Sequence, residues 1–206
     1  MQISHFTARF SRRAWTVAAT AGAAVALGVT ATVAVASGAQ APDHVFSFRL
    51  VPSAGISSCL PHAHGNVVIL THKKNDTMIV QVAGLPKNSE FDLFVIQVPD
   101  KPFGVSWYQT DVNTGRHGTG TATVQGIFDS ETFSVSPGGT TTFAPTHQFH
   151  LGLWFNNPKQ PFNLGCESGA TSPIVTPFNG EQHAGIQVLN TGEFPDNNGP
   201  LKHVHR

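Results

Sequence analysis

The chain has 206 residues, of which 40% are hydrophobic, so it is long enough to bury a full core. Only 12% of the residues are charged, which is about half the usual share for a soluble domain. The 12 basic residues equal the 12 acidic ones, and three arginines lie within the first 13 residues, so nine basic residues face 12 acidic ones in the rest of the chain. This balance excludes the strongly basic surface that nucleic-acid binding needs.

The first 41 residues have the pattern of an export signal. Three arginines precede residue 14, residues 14–36 carry no charge, and Ala39-Gln40-Ala41 is a small-residue cleavage motif. Cleavage after Ala36 is the alternative, because Pro42 directly follows the first motif. We therefore predict a signal peptide over residues 1–41 and a secreted, extracellular protein.

The export pathway stays open between two systems. The pair Arg12-Arg13 and the weakly hydrophobic stretch after it partly match a twin-arginine signal, whereas an ordinary secretory signal can contain such a pair by coincidence. Residues 14–36 are also long enough to span a bilayer, but their Ala, Gly and Thr content is poor for a retained anchor. We expect no membrane span once the signal is cleaved.

The predicted mature chain contains two cysteines, Cys59 and Cys166. An even number of cysteines in an oxidising compartment favours a disulfide, which here would close a loop of about 100 residues. The alternative is a thiolate metal ligand, since Cys59 lies close in sequence to His62 and His64. Of the two, we predict the disulfide.

Alternating apolar residues and frequent turn formers predict an all-β domain. In the first segment Phe46, Phe48 and Leu50 alternate with polar residues, as in a strand with one buried face. Residues 91–98 are apolar on both faces, which predicts a central strand covered on both sides. The predicted strands are residues 44–51, 66–70, 77–83, 91–98, 105–109, 119–128, 131–135, 148–155 and 185–189.

Eight or nine short strands with turns between them predict an antiparallel β-sandwich, immunoglobulin-like or related. We assign the sandwich domain to residues 42–192 and a polar C-terminal tail to residues 193–206. Residues 111–118 are dense in turn formers and predict a turn. No segment after the leader has the periodicity of a helix.

Histidine is unusually frequent, with 11 in the chain. His62 and His64 are one residue apart, and two such side chains on an extended segment can point the same way and bind Cu²⁺ or Zn²⁺. A third ligand would have to come from elsewhere; we select His150, with His117 and His183 as alternatives. The competing interpretation is that these are ordinary loop histidines without a metal.

Two further patterns suggest a ligand. The alternate oxygen side chains of residues 111–115 resemble part of a calcium loop, but the distal glutamate is absent and the same residues make an ordinary turn. Trp107-Tyr108 and Trp154-Phe155 could offer aromatic faces to sugars, although alternation predicts that one ring of each pair points inward.

The motifs of common catalytic sites are absent from the sequence. It has no Gly-x-Ser-x-Gly, no His-Glu-x-x-His and no phosphate-binding glycine-rich loop between a strand and a helix. Asp92, inside the predicted central strand, is the one carboxylate that could be buried with a shifted pKa. We therefore nominate no catalytic residue and favour a protein that is not an enzyme; a hydrolase with an unfamiliar site is the remaining alternative.

A set of segments is distinctive as a group: Gly84-Leu85-Pro86, Glu90 to Pro99, Pro102 to Gln109, Glu131-Thr132-Phe133, His150 to Asn156, and Thr176 to Gly180 with Gly185 to Asn190. Together they resemble a family of secreted bacterial β-rich proteins of uncharacterised function, over about residues 45–200. The resemblance implies export and a shared fold, but no activity, ligand or catalytic residue. His62 and His64 lie outside these segments.

These observations predict a secreted, disulfide-bonded β-sandwich that acts as a non-catalytic binding or cell-envelope protein, with a small ligand or an envelope component as its partner. The alternative is an extracellular copper- or zinc-binding protein that uses His62, His64 and a third histidine. No other cofactor is expected.

Overall fold

The computed structural model describes residues 41–128, 147–177 and 183–204. In these residues the fold is all-β, with one helical turn, α1 (Lys159–Asn163), and two short 3-10 turns, Ile56–Ser58 and Pro200–His203. The strands are β1 (His44–Pro52), β2 (His64–Thr71), β3 (Asp76–Ala83), β4 (Glu90–Ile96), β5 (Ser106–Asn113), β6 (Gly120–Gly126), β7 (His150–Phe155), β8 (Thr176–Pro177), β9 (His183–Ala184) and β10 (Gln187–Asn190).

Eight strands form one antiparallel sheet in the order β5-β4-β7-β10-β1-β2-β3-β6, and β8 pairs with β9 separately. Strand β1 joins the two halves of this sheet, because its first part pairs with β2 whereas Val51 and Pro52 pair with β10. A bridge between Thr114 and Gly120 also links the end of β5 to the start of β6. The predicted antiparallel all-β fold is confirmed, but the sheet is barrel-like and is not clearly a sandwich.

The alternating half of the sheet consists of β1, β2, β3 and β6. Burial alternates along β2 and β3, where residues such as Val67, Met78 and Val80 point into the core. This is the pattern expected when one face of a strand packs against the core and the other meets water. Alternation in the sequence predicts β1, β3 and β6, and a short apolar run predicts β2; each of the four is placed correctly to within two residues at each end.

The covered half consists of β5, β4, β7 and β10. All six residues of β7 are buried, and β4 is buried from Phe91 to Ile96. Their inner face carries Leu93 and Leu153, which belong to the main core, whereas the outer face carries a separate apolar cluster that includes Trp154. The predicted doubly buried segment is therefore confirmed, with its strand ending at Ile96.

The loop of residues 97–105 covers part of this outer face. Its ends are closed by backbone hydrogen bonds from Gln97 to Val105 and from Val98 to Phe103. The buried side chain of Asn190 donates to the carbonyl of Pro99 at 3.1 Å and to Asp100 Oδ1 at 3.2 Å, and Gln187 Nε2 also donates to Pro99. These bonds fasten the loop to β10.

Trp154 is the centre of the outer cluster. Its ring lies over Gly152, because a Cβ atom built on that glycine would come within 2.4 Å of the ring. Phe94 and Phe103 meet the ring edge-on, with centroid distances of 5.5 Å and 4.9 Å. Gly152 lies two residues before Trp154 on the same face of β7, and its lack of a side chain leaves room for the indole ring.

The predicted disulfide is present. Cys59 and Cys166 are bonded, with a sequence separation of 107. Cys59 lies in the loop between β1 and β2, and Cys166 follows α1, so the bond joins the two halves of the sheet. The alternative role of Cys59 as a thiolate ligand is excluded, since neither sulfur is free.

Three sequence-based expectations differ from the structure. Strand β5 extends to Asn113, three residues into the turn predicted at residues 111–118, of which residues 116–118 do turn, and α1 forms in a segment expected to be loop. Within the predicted polar tail, Leu201 and Val204 are 1% and 2% exposed and belong to the main core. The predicted strand 131–135 lies outside the described residues. None of the helices in the described ranges is long and apolar enough to cross a membrane.

Candidate functional site

A β-bulge shapes the outer face where β4 meets β5. Asp92 pairs with Asp111 and Leu93 pairs with Thr110, but Phe94 pairs with Tyr108, so one residue of β5 is skipped. Residues three apart on a regular strand point to opposite faces, whereas this bulge puts Tyr108 and Asp111 on the same face. The hydroxyl of Tyr108 donates a hydrogen bond to Asp111 Oδ1 at 2.7 Å.

Three carboxylates share this face, and the buried one is Asp92. Its neighbours across and along the sheet are Asp111 and Glu90. Burial raises the pKa of Asp92, and the negative charges of Asp111 and Glu90 raise it further, whereas the hydrogen bond from Asn156 acts in the opposite direction. Asn156 Nδ2 donates to Asp92 Oδ1 at 2.9 Å. We call Glu90, Asp92, Tyr108 and Asp111 the acidic face.

Tyr108 gives the acidic face an aromatic ring. The residue is 48% exposed, and Phe94 meets the ring edge-on at 5.6 Å between centroids. Partial desolvation of the phenol, its hydrogen bond to Asp111 and the negative charges of the nearby carboxylates raise the pKa of Tyr108 above its ordinary value. The phenol therefore stays protonated and remains a hydrogen-bond donor.

A cleft of about 510 Å³ opens beside the acidic face. Gln160 of α1 donates a hydrogen bond to Ser89 on the opposite wall of the cleft. Asn156 lines the cleft and also donates the hydrogen bond to Asp92. We call this the amide cleft; its lining residues are Asn88, Ser89, Glu90, Asn156, Asn157, Lys159, Gln160, Asn163 and Leu164.

The predicted metal ligands lie in different places. His64 is the first residue of β2, and both His62 and His64 are exposed, with His64 Nδ1 2.8 Å from the carbonyl oxygen of His62. His150 begins β7, which is separated from β2 by the two strands β10 and β1. In the described part of the chain, no group of three or more His, Cys, Asp or Glu side chains is placed to hold a metal ion.

His150 has a structural role. It is 0% exposed, and its ring nitrogens contact Thr191 Oγ1 at 2.8 Å and the carbonyl oxygen of Asp196 at 3.0 Å. Burial lowers the pKa of His150, although the hydrogen bonds to the backbone and the charge of Asp196 act in the opposite direction. Both ring nitrogens are thus already used by the protein, and they fasten the C-terminal segment to β7.

The structure also places the predicted calcium-loop segment and the two aromatic pairs. Residues 111–113 belong to β5, and the hydroxyl of Thr114 donates to the carbonyl oxygens of Pro86 and Ser89, so this segment does not have the form of a calcium loop. Trp107 and Tyr108 face opposite sides of the sheet, yet both are exposed because β5 is an edge strand. Trp154 and Phe155 are both buried.

Asp92 and Tyr108 stand out separately in the sequence, and no pattern there connects them with the amide cleft. A bulge carries no strong sequence signal, and the walls of the cleft are 67 residues apart in the chain at Ser89 and Asn156. The many asparagines around residues 156–163 were the available signal. Comparison with protein-family models, curated proteins and solved structures gives no match, so the family resemblance stays a prediction.

Proposed function

We propose that this chain is an exported, non-catalytic binding protein that holds its ligand on the acidic face and in the amide cleft. One observation carries the proposal: the bulge in β5 brings an exposed tyrosine ring onto the same face as Asp92 and Asp111, and Asn156 connects that face to an open polar cleft. Ligand sites combine a concave surface with a few convergent polar groups.

The surroundings of Asp92 support binding over catalysis. Its hydrogen-bond partner is Asn156, and its partners in the sheet are Asp111 and Trp154. Of these, only Asp111 can act as a base or nucleophile beside an acid, and its Oδ1 already accepts the hydrogen bond from Tyr108. The raised pKa of Asp92 is explained by burial and by like charges.

Export is part of the same proposal. The disulfide fits an extracellular or periplasmic protein. We propose that the leader of residues 1–41 carries the chain out of the cytoplasm and is then removed, leaving a secreted or cell-envelope protein. The mass of the protein collected from the culture medium tests this, since a chain that still starts at Met1 would contradict cleavage.

Binding is tested by thermal unfolding of the protein with a panel of free amino acids, short peptides and oligosaccharides. We expect one class to raise the melting temperature of the wild type and to do so much less for Asn163→Ala, which removes an exposed amide from the cleft. Gln125→Ala is the matched control, because Gln125 is exposed on β6 in the other half of the sheet. Equal shifts in both variants would contradict the proposed site.

A copper or zinc site with His62 and His64 stays a prediction. Its third ligand cannot be His150 without breaking the hydrogen bonds to Thr191 and Asp196. Metal analysis of protein purified without an affinity tag tests it: stoichiometric copper or zinc that is lost in His64→Ala would support the site. No metal, and no loss of added metal in the variant, would contradict it.

A further inference from the structure

We propose that the ligand is an oligosaccharide built from neutral or amino sugars, lying along the amide cleft with one sugar ring against Tyr108. This inference rests on the proposed function, and it names the class of ligand that the site would take. Four features of the described residues carry it: the hydrogen-bonding groups of the cleft, the tyrosine ring, the length of the site and its charge.

The cleft offers the hydrogen-bonding groups that sugar hydroxyls need. A hydroxyl both donates and accepts, and the amides of Asn and Gln present a donor and an acceptor side by side. Five amide side chains line the cleft, and Leu164 is the one aliphatic residue that the described part of the chain adds to its lining. An apolar ligand would leave these amides unpaired, which is costly, whereas a polyol can pair with them.

Tyr108 supplies an aromatic face at one end of the site. A sugar ring has one face covered by C–H groups, which packs on an aromatic ring in the way that apolar groups do. The ring of Tyr108 is held by Phe94, which in turn meets Trp154, so little side-chain freedom is left to lose on binding. The hydroxyl bond to Asp111 fixes the same ring from its other end.

The site is longer than a monosaccharide. Glu90 lies in the amide cleft and Phe94 is the partner of Tyr108, so the two ends are four residues apart along β4. With a rise of about 3.3 Å per residue, this separation is roughly 13 Å. A chain of several sugar rings spans that length, and a single sugar ring does not.

Charge narrows the class of sugar. Glu90, Asp92 and Asp111 lie on one face, and among the described residues Lys159 is the one cation that lines the cleft. Glu90 is exposed, and Asp111 is half-buried with its Oδ1 bonded to the hydroxyl of Tyr108, so both carboxylates lie where a ligand would approach. Like charges in such a site repel, which disfavours uronic acids and sulfated sugars and favours neutral or amino sugars.

Isothermal titration of the secreted protein tests the inference with defined hexamers. The probes are maltohexaose, cellohexaose, hexa-N-acetylchitohexaose and its deacetylated form, with hexagalacturonate as the acidic counterpart. We expect at least one neutral or amino hexamer to bind and hexagalacturonate to bind more weakly or not at all. We expect Tyr108→Ala to weaken the binding by about tenfold, a loss in the range found for aromatic contact residues.

Two further variants keep the test specific. Tyr108→Phe retains the ring and loses the hydroxyl, so most of the affinity should remain, and it guards against a folding defect in Tyr108→Ala. Ile127→Ala is the matched control, because Ile127 is 63% exposed on the same molecule but follows β6. Its affinity should equal that of the wild type.

The outcomes separate the two proposals. If hexagalacturonate binds most tightly, or if peptides bind in the amide cleft and no hexamer does, the ligand class is overturned while the proposed function stands. If neither the hexamers nor the amino acids and peptides bind, both proposals are overturned. If a hexamer binds equally well to Tyr108→Ala and to wild type, the placement on Tyr108 is wrong.

Discussion

The two halves of the sheet are built from similar strands but bury them differently. In the alternating half, side chains of β6 such as Thr121 and Thr123 point to water. In the covered half, every residue of β7 is buried, and the loop of residues 97–105 lies over the outer face. The acidic face and the amide cleft lie at the margin of this covered region, where the sheet again becomes accessible.

This difference shows how a small β-protein can separate stability from binding. One face of each half closes the common core, so the outer face of the covered half is free to carry a second cluster and the loops that shape a cleft. The same layer that buries Trp154 also holds Phe94 and therefore Tyr108. We expect substitutions in the covered layer to affect both stability and ligand binding, and outer-face substitutions in the alternating half to affect neither.

Removing the bond between the halves should have the largest effect. The paired substitutions Cys59→Ala and Cys166→Ala open a loop with a separation of 107 residues. In the chain-entropy account this lowers the free energy of unfolding by about 4–5 kcal/mol. Denaturant unfolding measures it, and a variant as stable as the oxidised wild type would show that the halves hold together without the bond.

Trp154→Ala tests the covered layer itself. It leaves a cavity between Gly152, Phe94 and Phe103, and truncation of a buried large aromatic residue costs about 3–5 kcal/mol. The control is Thr123→Ala on the exposed face of β6, for which we expect a change within about 0.5 kcal/mol. If both variants lost a similar amount of unfolding free energy, the outer faces of the two halves would not differ in their contribution to stability.

Asn190→Leu removes hydrogen bonds that attach the loop of residues 97–105 to β10. The substitution leaves the carbonyl of Pro99 with one donor fewer and takes a polar partner from Asp100 and Gln187. Unpaired buried polar groups cost about 1–3 kcal/mol, so stability should fall by that amount. Hydrogen exchange should also become faster in residues 98–104, and unchanged exchange there would contradict the role given to Asn190.

Asp92→Asn should have the smallest effect, and its sign depends on pH. Because the pKa of Asp92 is raised on folding, the folded protein holds this proton more firmly than the unfolded chain does. The charged carboxylate therefore destabilises the fold at neutral pH, and this penalty disappears as pH falls below the ordinary value of 3.8. Asparagine should increase stability slightly at neutral pH and change little in acid.

Unfolding curves at both pH values test this prediction. Asp43→Asn is the control, since Asp43 is exposed before β1, and it should change stability by less than about 0.5 kcal/mol. A loss of stability in Asp92→Asn at neutral pH, larger than in the control, would mean that the carboxylate is stabilising where it lies.

Much of the fold could be predicted from periodicity and composition. Alternation located β1, β3 and β6, a short apolar run located β2, and the doubly apolar run from Phe91 identified a covered strand. The helical turn α1 was missed because Pro158 and Pro161 suggest a loop, although proline is tolerated in the first turn of a helix. Leu201 and Val204 were missed because two apolar residues in a polar segment show no period.

The candidate site was harder to predict, since it depends on contacts between distant segments. The pair Tyr108 and Asp111 is three residues apart, and strand alternation alone would put them on opposite faces. The bulge becomes visible only in the pairing register of β4 with β5. Likewise, nothing in the sequence shows that Asn156 contacts Asp92. Nor does it show that the two ring nitrogens of His150 form hydrogen bonds with Thr191 and with the carbonyl oxygen of Asp196.

The most direct test of the binding site is a ¹H–¹⁵N spectrum of the secreted protein, titrated with the hexamer that binds best in calorimetry. We predict that the changes in chemical shift concentrate in residues 88–92, 106–111 and 156–164, and that the amides of β3 and β6 stay unchanged. The largest changes on β3 or β6, or no change at a saturating concentration of the hexamer, would contradict the location of the site on the covered half.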